Sequence, residues 1–147
     1  MKILRHENLQ STNRFLYDST IKLREQYLWP KDGSTASEYE EEDKKMIYYL
    51  AVETVTNFLC GMVGYDPTSN RLRQLIIHPS FQGKGIGSKL VDHVKREALL
   101  LENKNLKVCA WQESVPFYLK KGFNLVDVPY LSKGVLCQKM EINMINI

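Results

Sequence analysis

The stretch that most constrains this chain is Gln82-Gly83-Lys84-Gly85-Ile86-Gly87, with three glycines in six positions between two runs of different periodicity. Before it, Arg71-Leu72-Arg73-Gln74-Leu75-Ile76-Ile77-His78-Pro79 is rich in β-branched and apolar residues and reads as a strand. After it, Ile86, Leu90, Val91, Val94, Ala98 and Leu101 recur at helical spacing. Strand, tight turn and helix therefore follow one another here. The first N–H groups of a helix have no intrahelical partners, and the helix dipole places about half a positive charge among them. Such a turn is a ready cradle for an anion.

Two familiar phosphate motifs are excluded at named positions. A P-loop requires glycine five residues before Gly83 and Ser or Thr after Lys84, where this chain has His78 and Gly85. A dinucleotide fingerprint beginning at Gly83 ends on Ser88, and one beginning at Gly85 ends on Leu90.

The remaining elements follow from pattern. Lys2–Arg5 reads as a short strand. Phe15, Leu16, Ile21, Leu23, Tyr27 and Leu28 make a helix capped at Ser11 or Thr12 and ended by Trp29-Pro30, with a loop over Lys31–Ala36. Glu38–Asp43 puts five carboxylates in six positions, as expected of a solvated face or of a patch that attracts cations. Met46–Val55 and Phe58–Tyr65 form a hairpin, and the Asp66–Asn70 turn leads into the strand before the glycines. Beyond the helix, Leu106–Ala110 is a buried strand and Val115–Lys121 a short helix stopped by Gly122. Phe123–Val128 and Val135–Ile142 close a second hairpin around Ser132-Lys133-Gly134. A length of 147 residues suits one domain, 1–147, with one substantial core.

Charge narrows the partners. Residues 1–70 carry 8 Lys and Arg against 11 Asp and Glu, and residues 71–147 carry 12 against 6, so an anionic ligand favours the second part. A net +3 without a basic stripe and interleaved aromatics argues against nucleic acid. No apolar run approaches the roughly 20 residues needed to cross a bilayer, and the charged start lacks a signal-peptide core, so no membrane partner and a cytoplasmic location are expected. Cys60, Cys109 and Cys137 are odd in number and flanked by apolar residues, which predicts buried free thiols. His6, His78 and His93 have no metal-ligand spacing, so no metal is expected.

The run Leu75-x-Ile77-x-Pro79-x-x-Gln82-x-x-Gly85-x-Gly87 resembles the acetyl-CoA signature of the GCN5-related N-acetyltransferases (GNAT). Val115-Pro116-Phe117-Tyr118-Leu119-Lys120-Lys121-Gly122-Phe123 resembles the family's second segment, Phe-Tyr-x-x-x-Gly-Phe/Tyr. The two motifs and the element order cover nearly the whole chain. The resemblance implies a single-domain α/β fold, a mixed and mainly antiparallel sheet flanked by helices that splays between the strands Leu72–His78 and Leu106–Ala110.

It also implies acetyl-CoA as cosubstrate. The pyrophosphate would be held by backbone amides of Gln82, Gly83, Lys84, Gly85, Ile86, Gly87 and Ser88, the glycines keeping Cβ atoms out of the phosphates' way. The pantetheine arm would run as an extra strand beside Ile76 and Ile77, and Lys84 and Lys89 would add positive charge. Glu113 departs from the pattern, standing where relatives often carry Asn.

By the same resemblance Tyr118 is the general acid for the departing thiolate. A phenol of pKa about 10 protonating a thiolate of pKa about 8.5 costs roughly 2 kcal/mol. An alkylamine is neutral at pH 7 only about once in 10^3.4 molecules, so a base would help, and Glu53, an acid within an apolar run, is the candidate. Nothing pairs Cys109 with a base, which favours direct transfer over a covalent intermediate. The expected reaction is acetyl transfer to a primary amine, and the acidic run favours a small cationic one. A protein-lysine or N-terminal acetyltransferase, and a non-catalytic CoA-binding sensor or scaffold, are the alternatives. A homodimer is one arrangement open to such a chain.

Overall fold

Two apolar runs, Ile47–Val52 and Leu59–Asp66, lie at the centre of the molecule, buried on both faces almost throughout. The computed structural model describes residues 1–146; Ile147 lies outside the described residues. Element order is β1 (Lys2–His6), α1 (Arg14–Tyr27), α2 (Trp29–Asp32), α3 (Ala36–Asp43), β2 (Ile47–Val52), β3 (Leu59–Asp66), β4 (Arg71–Ile77), α4 (Ile86–Leu100), β5 (Asn105–Trp111), α5 (Val115–Lys120), β6 (Asn124–Ser132) and β7 (Val135–Asn143). The seven strands form one sheet in the order β1-β2-β3-β4-β5-β7-β6. Every step is antiparallel except β4–β5. The expected α/β architecture is therefore observed.

Each face of the sheet carries a core. On one, Leu90, Val91, Val94 and Ala98 of α4 pack with Tyr118 and Phe123. On the other, Leu16 and Leu23 of α1 pack with Tyr48, Leu50 and Met62. No helix among the described residues is long and apolar enough to cross a membrane.

The first third of the chain differs from expectation. Asn13, rather than Ser11 or Thr12, caps α1, its Oδ1 accepting from Leu16 N at 2.8 Å. Trp29-Pro30 does not lead into a loop but opens α2, because proline is well suited to a helix's first turn. The acidic run is helical, and its last member is not solvated: Asp43 is 1% exposed and paired with the fully buried Arg24.

At β4–β5 the sheet is almost cut. Only Arg71↔Lys107 and Leu72↔Val108 pair before the strands part. Asn70 latches the closed end, its Nδ2 donating to Asn105 O and its O accepting from Lys107 N at 2.9 Å. Within β4 the register to β3 slips between Met62 and Gly64, and Gln74 takes the left-handed region at φ 56°, which marks a bulge.

A second polar cluster ties β1 and β2 to α4. Glu97 Oε1 accepts from Arg5 Nε and from Tyr49 Oη, both at 2.5 Å. The Arg5 bond outweighs burial and holds the Glu97 carboxyl below its usual pKa, while burial and Glu97 push the Tyr49 phenol up to about 12. A depressed carboxylate pKa contributes stability above the unfolded value near 4.3, and that stability is lost as pH falls through the folded value. Glu97→Gln is therefore expected to cost about 1–3 kcal/mol at pH 7. The gap to wild type should close below about pH 4 in denaturant titrations; a gap constant with pH would refute the linkage.

Candidate active site

His78 N–H donates to Cys60 O across the β3–β4 ladder at 2.8 Å. Successive residues of an antiparallel strand direct their backbone groups to opposite sides. Ile76 therefore spends its N–H and C=O on β3, whereas Ile77 turns both toward the break with β5. Of the two isoleucines expected to face a ligand, only Ile77 has backbone groups on that side. Its C=O accepts from Gln82 Nε2 at 3.3 Å, which ties the glycine-rich turn to the strand's end.

The turn itself begins with a 3-10 turn over Pro79–Phe81, capped by His78, whose Nδ1 accepts from Ser80 N at 3.1 Å. Gly83 and Gly85 lie in the left-handed region at φ 78° and 79°. A Cβ on either meets no protein atom within 4 Å, so backbone conformation rather than space within the protein demands glycine there. No side chain caps α4. The first N–H with an intrahelical acceptor is that of Lys89, on Gly85 O at 3.2 Å, which leaves Ile86, Gly87 and Ser88 ahead of the ladder.

Ile86 is buried and anchors the helix start in the core. Lys84 Nζ sits 5.1 Å from the Phe81 ring centroid. Ser88 Oγ accepts from Lys121 Nζ at 2.8 Å, and Lys121 also pairs with Asp92 at 2.6 Å. Lys121 was not singled out in the sequence; the fold brings it to the turn from just past the end of α5.

Tyr118 comes to the break from α5, 5% exposed, its ring edge-on to Phe117 and Phe123 at 5.1 and 5.4 Å. Burial pushes its phenol well above the ordinary value. It lines a throat of about 110 Å³ between β4 and β5, together with Leu75, Ala110 and Ser114. The throat shares Leu28, Arg73, Gln74, Cys109 and Trp111 with an outer cleft of about 240 Å³, which reaches Tyr39 on α3 and Tyr130 and Lys133 on the last hairpin.

Glu53 lies in the β2–β3 loop. Its carboxylate accepts from Val55 N and Thr56 N, both at 3.1 Å, and from Thr56 Oγ1. These bonds close the β2–β3 loop and lower the carboxyl's pKa, which weakens it as a base. It is absent from the linings of throat and cleft.

A buried network behind the bulge went unread in the sequence. Arg24 bonds Asp43 through both Nη atoms at 3.0 and 3.1 Å, and its Nη1 also donates to Gln74 Oε1 at 3.2 Å. Tyr48 Oη donates to Asp43 at 2.6 Å and accepts from Gln74 Nε2 at 3.0 Å. The ring of side chains fixes Gln74, and with it the bulge that shapes the throat wall. Within one helix or strand nothing signals it, because its members are 5 to 50 positions apart. All three cysteines are free thiols; Cys60 and Cys137 are buried, but Cys109 is half-buried on the cleft and accepts from Tyr130 Oη at 3.3 Å.

Comparison with known proteins accords with this geometry. The acetyltransferase (GNAT) domain family matches residues 22–144. Solved structures share the fold at low identity. An aminoglycoside 6'-N-acetyltransferase from Enterococcus faecium has TM-score 0.78 at 22% identity, over 99% of this chain and 98% of that one. An acyl-CoA N-acyltransferase from Pseudomonas aeruginosa has 0.78 at 15%, over 96% and 98%. A GNAT acetyltransferase from Elizabethkingia anophelis with acetyl-CoA bound has 0.67 at 18%, over 97% of each chain. No curated protein sequence matches significantly. With 123 consecutive residues matched, around an intact glycine-rich turn and a buried Tyr118, the chain belongs to the GNAT family of acetyltransferases.

Proposed function

We propose that this chain transfers the acetyl group of acetyl-CoA to the primary amine of a small molecule by direct attack. The observation that carries it is the break in the sheet, with a free helix N-terminus at its open end and Tyr118 in its wall. The backbone amides of Gln82 to Ser88 receive the pyrophosphate, with Lys84 and Lys121 beside them. The pantetheine arm follows β4 into the throat, using the outward backbone groups of Ile77.

The amine enters from the outer cleft and attacks the thioester carbonyl. The N–H of Ile77 steadies the resulting oxyanion, and collapse of the tetrahedral intermediate expels the thiolate, which takes its proton from Tyr118. Among the described residues no carboxylate lines the throat. The ammonium therefore sheds one proton to water through the open cleft before attack, the N–H proton released as the amide forms restores the Tyr118 phenol, and kcat/KM rises about tenfold per pH unit toward the amine's own pKa.

Structural neighbours that are aminoglycoside 6'-N-acetyltransferases support a small acceptor. Support for a cationic acceptor is weak, because the acidic run is largely engaged. Asp43 pairs with Arg24, Glu42 with Arg73 at 2.8 Å and Glu41 with Lys44 at 2.9 Å, while Glu38 lies 3.9 Å from Lys133.

A thiol-release assay with acetyl-CoA against polyamines, amino acids, aminoglycosides and a lysine peptide tests the reaction and acceptor together. Coenzyme binding with no turnover of any amine would replace this reading with a sensor or scaffold, and turnover of the peptide alone with a protein acetyltransferase. Glu53→Gln is expected to leave kcat within about twofold. A fall beyond about tenfold in a folded variant would return Glu53 to the proton path.

A further inference from the structure

The outer cleft carries the opposite charge from the acidic run beside it. Among the described residues its lining contains Arg71, Arg73 and Lys133 and no Asp or Glu. Arg73 and Lys133 have carboxylates nearby, Glu42 at 2.8 Å and Glu38 at 3.9 Å. The Arg71 side chain has neither ion pair nor hydrogen bond among the described residues, and its Nε is buried with no acceptor. A guanidinium N–H withdrawn from water without a partner is costly, and it forms its strongest bonds with carboxylate or phosphate oxygens.

The backbone that carries Arg71 is fixed. Arg71 opens β4 where that strand still pairs with β5, beside the Asn70 latch. Four residues on, Leu75 lines the throat, at most about 13 Å farther along the strand at about 3.3 Å per residue, because the bulge at Gln74 shortens the path. The Cys109 bond and burial push the Tyr130 phenol up to about 12, and burial raises the Cys137 thiol.

We propose that the acceptor is a small primary amine that also carries a carboxylate or phosphate, with Arg71 binding that anion in the outer cleft, Lys133 beside it, and the amine reaching into the throat. This rests on the acetyl-transfer reading and names its substrate class. It departs from the cationic acceptor that the acidic run suggests.

Matched pairs test it: 6-aminohexanoate against its amide, and glucosamine 6-phosphate against glucosamine, with spermidine as a cationic control. Each is titrated calorimetrically into the protein saturated with CoA, and each is assayed by thiol release with acetyl-CoA. In at least one pair the anionic member is expected to bind at least about tenfold tighter and to show a correspondingly higher kcat/KM. Which pair responds distinguishes carboxylate from phosphate.

Arg71→Met should bring the anionic-to-neutral ratio close to one, and Arg71→Lys should keep part of it. Lys133→Met, in an exposed hairpin turn, should reduce the ratio a few-fold and carries the test if Arg71→Met does not fold. A preference for the neutral or cationic compounds, or equal weakening of both members by Arg71→Met, overturns the anion site. Anion-dependent binding without thiol release keeps that site and overturns acetyl transfer. Thiol release without anion preference does the reverse, and neither signal overturns both.

Discussion

Replacing Tyr118 by Phe is expected to lower kcat for acetyl transfer by about 10²- to 10⁴-fold, the range for loss of a positioned proton donor, with KM for acetyl-CoA little changed. The variant keeps the ring contacts to Phe117 and Phe123 and loses only the hydroxyl, so stability should be nearly preserved. Burial makes the phenol a weaker acid than in water. In the proposed reaction the departing thiolate shares that buried throat, where desolvation raises its proton affinity as well, so the two shifts largely offset. Proton transfer then stays close to the roughly 2 kcal/mol deficit of the free groups. Turnover unchanged by Tyr118→Phe across pH 6 to 9 would remove the acid role and leave Tyr118 as a packed aromatic.

Asp43→Ala is expected to have the largest effect on stability, about 3–5 kcal/mol, because it leaves the Arg24 guanidinium fully buried without its counter-ion. For a domain of this size that is a fall in Tm on the order of 10 °C. The damage should extend to the reaction. With Asp43 gone, Tyr48 and Arg24 lose their shared acceptor, Gln74 loses its fixed position, and the bulge in the throat wall loosens. The double variant Arg24→Met/Asp43→Leu removes both charges and should recover most of the stability. If Asp43→Ala alone melts within about 2 °C of wild type, the pair has no structural weight.

Most of the scaffold was legible because its signals are local. Glycines at 83 and 85 adopt the left-handed conformations their positions require, and the last hairpin turns on Lys133 and Gly134, both at positive φ, as a two-residue loop favours. The strand order around the break followed from the family motifs. What escaped reading depends on contacts between distant positions. Asp43 looks like the end of a solvated acidic run until Arg24 of α1 is placed against it. Gln74 reads as one polar residue in a strand until the slip against β3 makes it a bulge. Glu53 suggested a base because an acid in an apolar run is unusual, yet it stands one residue past the end of β2, where a carboxylate serves to tie a loop. Arg71 gave no signal of its own, since an unpaired guanidinium can be recognised only when its neighbours are known.

The parting of β4 and β5 after two residue pairs has a thermodynamic consequence. Two leaves, β1–β4 and β5–β7, share little backbone bonding beyond the latched end. A molecule seated between them that bonds both edges acts as a cohesive part of the fold. Coenzyme concentration then becomes a stability variable: at about 100 times its Kd the folded state gains roughly 2.7 kcal/mol. The gain should be largest at the free edges facing the break, so the cell's supply of coenzyme would govern how tightly the two leaves hold together.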